Sequence, residues 1–375
     1  MKPIEYAQVA CDTLMRKYAA QDLPPKGTFL YHQGVFLSGM YQTYQQCEKE
    51  VYYNYIKEWI DSVFDRNGQI KQCEYSDLDY IQPGVLLFPI WDRTGNPYYR
   101  KCIEAVCDEV KHIPRNLWGG WWHKNRMKDQ MWLDGLYMVG PFCAEYADRF
   151  EIPELKAEIV RQALLMERMT KDPDTGLLYH AWDGARQEDW ADPVTGQSRE
   201  FWGRSMGWVP VALLNDLDFI GSETQGHEEI IRMSTELLRN LCRYQSEDGR
   251  WYQVVNRGGE PGNWLENSCS CLYVAGLCKA VRRNYLPTSF IKAAVKGYEG
   301  VVHDLQWDGD NLLVGNVCIG TGVGDYQFYC DRPVNTNDLH GVGAFLLMCT
   351  EMQWLLDAMS ESNAGGKRET LCFHW

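Results

Sequence analysis

The chain lacks several features that quickly sort a sequence. Its 14 cysteines include no C-x-x-C pair, and the closest spacings are Cys102/Cys107 and Cys269/Cys271/Cys278. That excludes the usual zinc-ligand and dithiol patterns. At 375 residues the fold needs no disulfide staples, so reduced thiols in a cytoplasmic protein are the simplest reading. No H-E-x-x-H string occurs, which argues against a zinc protease, and a serine esterase is likewise not expected. No run of about 18 apolar residues occurs, so no membrane span is expected. Glu5 and Gln8 interrupt the place where a secretory leader would be apolar. Positive charge is also short. Thirty-seven Lys and Arg against 51 Asp and Glu leave a net charge of −14. This excludes a general nucleic-acid or anionic-membrane surface. An anionic small substrate would need a local cluster of cations inside a site.

Aromatic residues are abundant, with 15 Trp, 22 Tyr and 12 Phe. For any one Trp, core packing is the better reading. One stretch stands out, Asp129-Gln-Met-Trp-Leu-Asp-Gly-Leu-Tyr-Met-Val-Gly-Pro-Phe142, which sets Asp134 among large apolar side chains. Apolar surroundings favour the protonated carboxyl, so Asp134 is expected to hold a proton near neutral pH. The competing reading is a core helix with one partnered aspartate.

Helical periodicity dominates the chain. Residues 48–64 put Tyr52, Ile56, Trp59, Ile60 and Val63 on one face, and 100–113 and 288–304 repeat the pattern. Pro153 and Pro287 suit helix starts. Between helices a Gly turn leads into a short apolar run six times, at Gly27, Gly68, Gly119, Gly176, Gly249 and Gly309. Six helical units predict an all-α (α/α)6 barrel over residues 1–359, with short strands in the loops of one face and a polar tail at 360–375. An open α-solenoid is the alternative, but the irregular period and the long loops at 181–203 and 308–336 favour a closed ring with a binding face. The inner helices, nearly apolar all round, are expected at 130–145, 204–217 and 265–283.

In such a ring, four segments converge on one mouth. They carry Asp79; Trp121 to Asp134; Tyr179-His180-Ala-Trp-Asp183; and Phe201 to Trp208. The mouth then holds Asp79 and Asp134, His180, the cations Lys124 and Arg204, and the indoles of Trp132, Trp202 and Trp208. Cations suit a uronic-acid carboxylate, aromatic faces suit a sugar ring, and a carboxyl supplies acid. Each residue has a plainer reading. Asp79 could cap a helix, His180 could be a satisfied loop histidine, and Arg204 could pair with an aspartate. Gly320-Thr-Gly-Val-Gly324 lacks the Lys-Ser/Thr of a phosphate loop and reads as a glycine-rich loop at the mouth.

Four motifs then carry a resemblance. They are Trp132-Leu-Asp-Gly-Leu-Tyr-Met-Val-Gly-Pro-Phe142, Phe201-Trp-Gly-Arg-Ser-Met-Gly-Trp-Val209, Trp264-Leu-Glu-Asn-Ser268, and Tyr329-Cys-Asp-Arg-Pro333 with Asp338-Leu-His-Gly341. Over nearly its whole length the chain resembles glycoside hydrolase family 105, the unsaturated rhamnogalacturonyl hydrolases, which is related to the unsaturated glucuronyl hydrolases of family 88. The resemblance implies an (α/α)6 barrel, no metal or organic cofactor, and short oligosaccharide substrates ending in a 4,5-unsaturated uronic acid. It implies hydration of the C4=C5 bond with Asp134 as acid and base, and Asp79 and His180 as its catalytic companions. It also implies that His123, Lys124, Trp132, Trp202, Arg204, Trp208 and Tyr31 contact sugar, with Lys124 and Arg204 as partners of the carboxylate.

The alternatives are the same chemistry on unsaturated glucuronyl ends such as ulvan products, a sugar isomerase or epimerase on the same ring, and a non-catalytic carbohydrate-binding protein. An isomerase typically uses paired histidines, and of the 8 in this chain only His123 and His180 fall at the mouth. The charged loop from Asp183 to Arg199 is a candidate for setting the leaving-sugar preference.

Overall fold

A computed structural model describes residues 1–72 and 77–364. The chain alternates outer and inner helices six times. Helix α1 (Pro3–Lys17) leads to α2 (Tyr31–Cys47), α3 (Glu50–Val63) to α4 (Leu87–Thr94), and α5 (Pro97–His112) to α6 (Asp134–Arg149). Likewise α7 (Pro153–Thr170) leads to α8 (Gly203–Asp216), and α9 (His227–Leu241) to α10 (Asn267–Arg282). Finally α11 (Ile291–His303) leads through the short α12 (Tyr326–Cys330) to α13 (Leu339–Ala364). The inner helices pack in sequence, α13 against α2 closes the ring, and a 3₁₀ turn at Gln82–Leu86 completes the inner wall ahead of α4. This is the expected (α/α)6 barrel.

The long loops all run from an outer to an inner helix, so they share one face. They carry four two-stranded antiparallel pairs: β1 (Gln130–Trp132) with β2 (Ala181–Asp183), β3 (Trp251–Tyr252) with β4 (Leu265–Glu266), β5 (Gln306–Asp308) with β6 (Asn311–Leu313), and β7 (Val317–Cys318) with β8 (Val334–Asn335). The six repeated glycines stand in these connections with φ from +55° to +100°. A left-handed backbone there explains why glycine recurs where a β-carbon would clash.

Every residue of α10 from Asn267 to Val281 is buried, which is why inner helices lack a polar stripe. Close approach needs small residues. A β-carbon on Gly39 would lie 2.6 Å from Leu346 Cβ, and one on Gly343 2.6 Å from the Val35 carbonyl carbon, where α2 meets α13. The outer helices are ordinary amphipaths. Asn96 caps α5 by accepting from the Tyr98 amide at 3.0 Å, and Pro97 and Pro153 open α5 and α7.

Three boundaries differ from the sequence expectation. Helix α6 starts at Asp134 rather than near 130, because Gln130–Trp132 pair with Asp183–Ala181. Residues 288–290 form a 3₁₀ turn before α11. The last helix continues to Ala364, beyond 359, and the rest of the polar tail, 365–375, lies outside the described residues. Among the described residues, no helix is long and apolar enough to cross a membrane.

Candidate active site

The mouth lies over the N-termini of the inner helices. Asp134 opens α6, where the helix dipole favours a carboxylate. The amide of the preceding Leu133 donates to the His180 carbonyl at 3.0 Å, so the β1–β2 pairing delivers His180 to Asp134. His180 Nε2 stands 3.3 Å from Asp134 Oδ2, a close contact whose angle falls short of a well-aligned hydrogen bond. On its other side, His180 Nδ1 lies 2.7 Å from the Tyr329 hydroxyl.

Asp79 sits in the 3₁₀ turn Leu78–Tyr80, almost fully buried, and caps no helix. It pairs with Lys124, and His123 Nε2 stands 3.8 Å away. The His123 ring stacks on Trp132 at 4.6 Å, and Trp132 meets His180 edge-on at 5.3 Å. Trp132 is held by Gln130, which accepts from its indole N–H at 3.0 Å and donates to Glu188 at 2.7 Å. Glu188 belongs to the Asp183–Arg199 loop, so that loop is tied to the mouth.

Tyr31, His32, Asp79, Lys124, Trp132 and Arg332 line a cavity of about 980 Å³, and Gly320–Gly322 close one side of it. The glycine-rich stretch is thus a loop at the mouth. Three expected sugar contacts are placed differently. Trp202 is 2% exposed, away from the cavity lining, and its indole N–H donates to Gln253 Oε1 at 3.1 Å. Trp208 is 1% exposed and stacks on Tyr137 at 4.5 Å, inside the packed ring. Arg204, 3% exposed, lies over the Trp202 ring and donates to the carbonyls of Cys318 at 2.7 Å and Ile319 at 2.8 Å and to Ser268 Oγ at 3.2 Å. Its acidic neighbour is Glu266, at 3.8 Å, rather than a site aspartate.

The protonation expected of Asp134 is reversed. Burial pushes its carboxyl up, but the imidazole of His180, with His123 and Arg204 behind it, outweighs burial and holds it below the ordinary aspartate value. Burial also pushes His123 and His32 down to about 4, so both are neutral rings at neutral pH. The unfolded chain therefore binds more protons at these two positions between about pH 6.5 and 4. Stability should fall as pH drops through that window, by about 1.4 kcal/mol per group for each unit. Urea unfolding midpoints at pH 7, 5.5 and 4.5 check this; a flat profile would contradict it.

Several residues were not singled out by sequence reasoning. Tyr329 and Arg332 lie in a motif noted for its resemblance, yet nothing local marks them. Arg332 gives one nitrogen to the Gly320 carbonyl at 2.6 Å, and its buried Nε has no partner. Thr321 Oγ1 and His32 Nδ1, on the same cavity, are also buried and unpartnered. A string fitting G-x-S-x-G does occur, Gly203-Arg-Ser-Met-Gly207, but it is no nucleophile elbow. Ser205 lies fully buried in the first turn of α8 and donates to the Trp202 carbonyl at 2.8 Å.

An (α/α)6 ring whose inner-helix N-termini gather carboxylates, imidazoles and indoles around one mouth defines a six-hairpin carbohydrate-active enzyme. The profile of Glycosyl Hydrolase Family 88 matches residues 6–356. A solved family 105 glycoside hydrolase from Clostridium acetobutylicum ATCC 824 is 30% identical, with a TM-score of 0.87 over 92% of this chain and 98% of that one. The unsaturated rhamnogalacturonyl hydrolase YesR of Bacillus subtilis strain 168 is 26% identical over 297 residues, 77% of this chain and 79% of its own length. The unsaturated glucuronyl hydrolase of Bacillus sp. GL1, 16% identical, shares the fold with a TM-score of 0.67 over 92% of this chain and 97% of that one. The chain belongs to glycoside hydrolase family 105, within the family 88 relationship, and is an unsaturated uronyl hydrolase.

Proposed function

We propose that the protein releases the terminal 4,5-unsaturated galacturonic acid from short rhamnogalacturonan fragments, with Asp134 as the single acid and base. Asp134 at the head of α6, facing His180 across 3.3 Å in an aromatic mouth, supports the acid–base part of this reading, and the likeness to the rhamnogalacturonyl hydrolase YesR supports the choice of sugar. The substrate's end is a vinyl ether, not an ordinary acetal, so the usual pair of carboxylates astride the scissile bond is not required. Asp134 gives a proton to C4, and cationic character develops at C5 beside the ring oxygen. Water adds at C5 and returns a proton to Asp134. The resulting hemiketal opens to a ketone at C5, and the hemiacetal left at C1 collapses to free the leaving sugar as its alcohol.

His180 and its neighbours hold Asp134 as a carboxylate, so the proton it donates must be taken up as substrate binds. An incoming uronate places a like charge nearby and closes off water, and both changes raise the Asp134 pKa. Asp79 with Lys124 and His123 orients the attacking water, while Trp132 and Tyr31 pack against the sugar. We assign the uronate carboxylate to Lys124 and Arg332, with Arg204 behind them holding the loop they approach. The unpartnered Arg332 Nε and Thr321 Oγ1 supply donors for an anion.

Arg332→Gln should raise KM about 10-fold or more with kcat little changed, the loss of one charge-assisted contact. Arg332→Lys should recover part of it. An unchanged KM would move the carboxylate to other partners. The reading as a whole is tested by the near-ultraviolet absorbance of the conjugated uronate. Loss of absorbance with the unsaturated galacturonyl-rhamnose disaccharide supports the proposed substrate. Loss only with an ulvan lyase digest keeps the chemistry and changes the sugar. No loss with either would overturn it in favour of an isomerase or epimerase.

A further inference from the structure

Tyr329 has no assigned part in the reaction, yet its surroundings give its hydroxyl a definite one. It is fully buried in α12, with its ring stacked on Trp202 at 6.0 Å and an interplanar angle of 14°. Its backbone carbonyl accepts from Gln253 Nε2 at 3.1 Å, and Gln253 Oε1 accepts from the Trp202 indole at 3.1 Å. Ring and backbone are therefore locked. Among the described residues the hydroxyl has two hydrogen-bonding neighbours, the Gly324 amide at 3.3 Å and His180 Nδ1 at 2.7 Å.

A phenol has one proton to donate. Burial pushes the Tyr329 hydroxyl well above its ordinary value, so that proton stays in place. The Gly324 amide can only donate. The phenol proton must therefore point at His180 Nδ1, which accepts. A neutral imidazole that accepts at Nδ1 carries its hydrogen on Nε2. Nε2 is the atom 3.3 Å from Asp134 Oδ2.

We propose that Tyr329 is a positioning residue for the hydration reaction, its hydroxyl fixing His180 as the Nε2–H tautomer that faces the Asp134 carboxylate. The hydrogen-bond order runs from Gly324 N–H to Tyr329 Oη, from Tyr329 O–H to His180 Nδ1, and from His180 Nε2–H toward Asp134. It links the glycine-rich wall of the mouth to the acid. The opposite tautomer would turn a lone pair toward the carboxylate and favour its protonated form. Asp134 needs both forms in one turnover, so a fixed Nε2–H keeps the carboxylate accessible after proton transfer to C4. The other groups that bear on Asp134 are His123, Arg204, Tyr31 and Tyr329 itself. None of them replaces a donor at Oδ2, which lacks an aligned partner of its own.

The inference rests on the hydration reading, so its test uses one readout that needs no turnover. In the wild-type protein labelled with ¹⁵N-histidine, the His180 signal, assigned by its loss in His180→Gln, should show a bare Nδ1 and a protonated Nε2. A proton on Nδ1 in the neutral ring would overturn the proposal whatever the activity. Tyr329→Phe keeps the ring and its stack on Trp202. In that variant kcat should fall about 10- to 100-fold with KM within about 3-fold, since the lost contact acts through His180 rather than on bound sugar. The limb of the pH–kcat/KM profile that belongs to Asp134 should move upward by about one unit. Wild-type kcat and an unmoved limb in Tyr329→Phe would also overturn it. Failure of the wild-type enzyme itself to bleach the unsaturated uronate would instead count against the hydration reading.

Discussion

Asp134→Asn is expected to lose about 10⁴-fold or more in kcat while leaving the fold intact. General acid–base catalysis contributes about 10²- to 10⁴-fold for one proton transfer, and here a single carboxyl serves two. The amide is nearly isosteric at the first position of α6 and keeps an oxygen toward His180, so far-ultraviolet circular dichroism and the unfolding midpoint should stay close to wild type. What it loses is the proton for C4 and the base for water. Among the described residues no second carboxylate stands ready to take over, because Asp79 is occupied by Lys124 and His123. Bleaching of the unsaturated uronate by the variant within about 10-fold of wild type would remove Asp134 from its role. That result would turn attention to Asp79 and its cation as the source of the proton.

The contrast between Asp134 in the sequence and in the folded chain shows what a sequence carries. Its neighbours, Leu133 and Leu136 among them, are apolar and buried, so the local reading of a carboxyl in apolar surroundings is sound. The partner that reverses its protonation, His180, is 46 residues further along and arrives only through the β1–β2 pairing. The ring itself was legible because it is built from local rules. Apolar periodicity marks the outer helices, continuous burial marks the inner ones, and a glycine at positive φ marks each turn onto the mouth. The start of α6 is not legible in the sequence because Met131-Trp132 runs on into the apolar helix behind it, and only the strand partner of Gln130–Trp132 separates the two. In the sequence Arg204 resembles a sugar contact because it sits in an aromatic motif at the head of an inner helix. Its guanidinium is instead taken up by carbonyls 114 and 115 residues away. Tyr329 and Arg332 share one short motif, and only the fold gives one to His180 and the other to the cavity.

Glu266→Ala should give the largest loss of stability of any single substitution considered, about 3–5 kcal/mol. Glu266 is fully buried at the N-cap of α10. Its Oε2 accepts from the Cys269 amide at 2.6 Å, and its Oε1 accepts from Ser268 Oγ at 2.7 Å and the Cys318 amide at 3.0 Å. Arg204 lies 3.8 Å from the same oxygen. Alanine removes the cap, which alone costs about 1 kcal/mol. It also orphans the Cys318 amide and leaves a buried guanidinium without its counter-charge, the larger effect. Glu266→Gln keeps the acceptor but not the charge, and should cost less, about 1–3 kcal/mol. The ordering of the two variants is the informative part. If alanine and glutamine were equally mild in urea unfolding, within about 1 kcal/mol of wild type, Arg204 would be balanced by the carbonyls alone. If the expected order holds, activity should fall in parallel with stability. Glu266 and Arg204 together grip the Cys318–Ile319 segment, one by its amide and the other by its carbonyls, and that segment leads directly into the Gly320–Gly324 wall whose amide meets Tyr329. A carboxylate that never touches substrate would then set both the stability of the ring and the geometry of its acid.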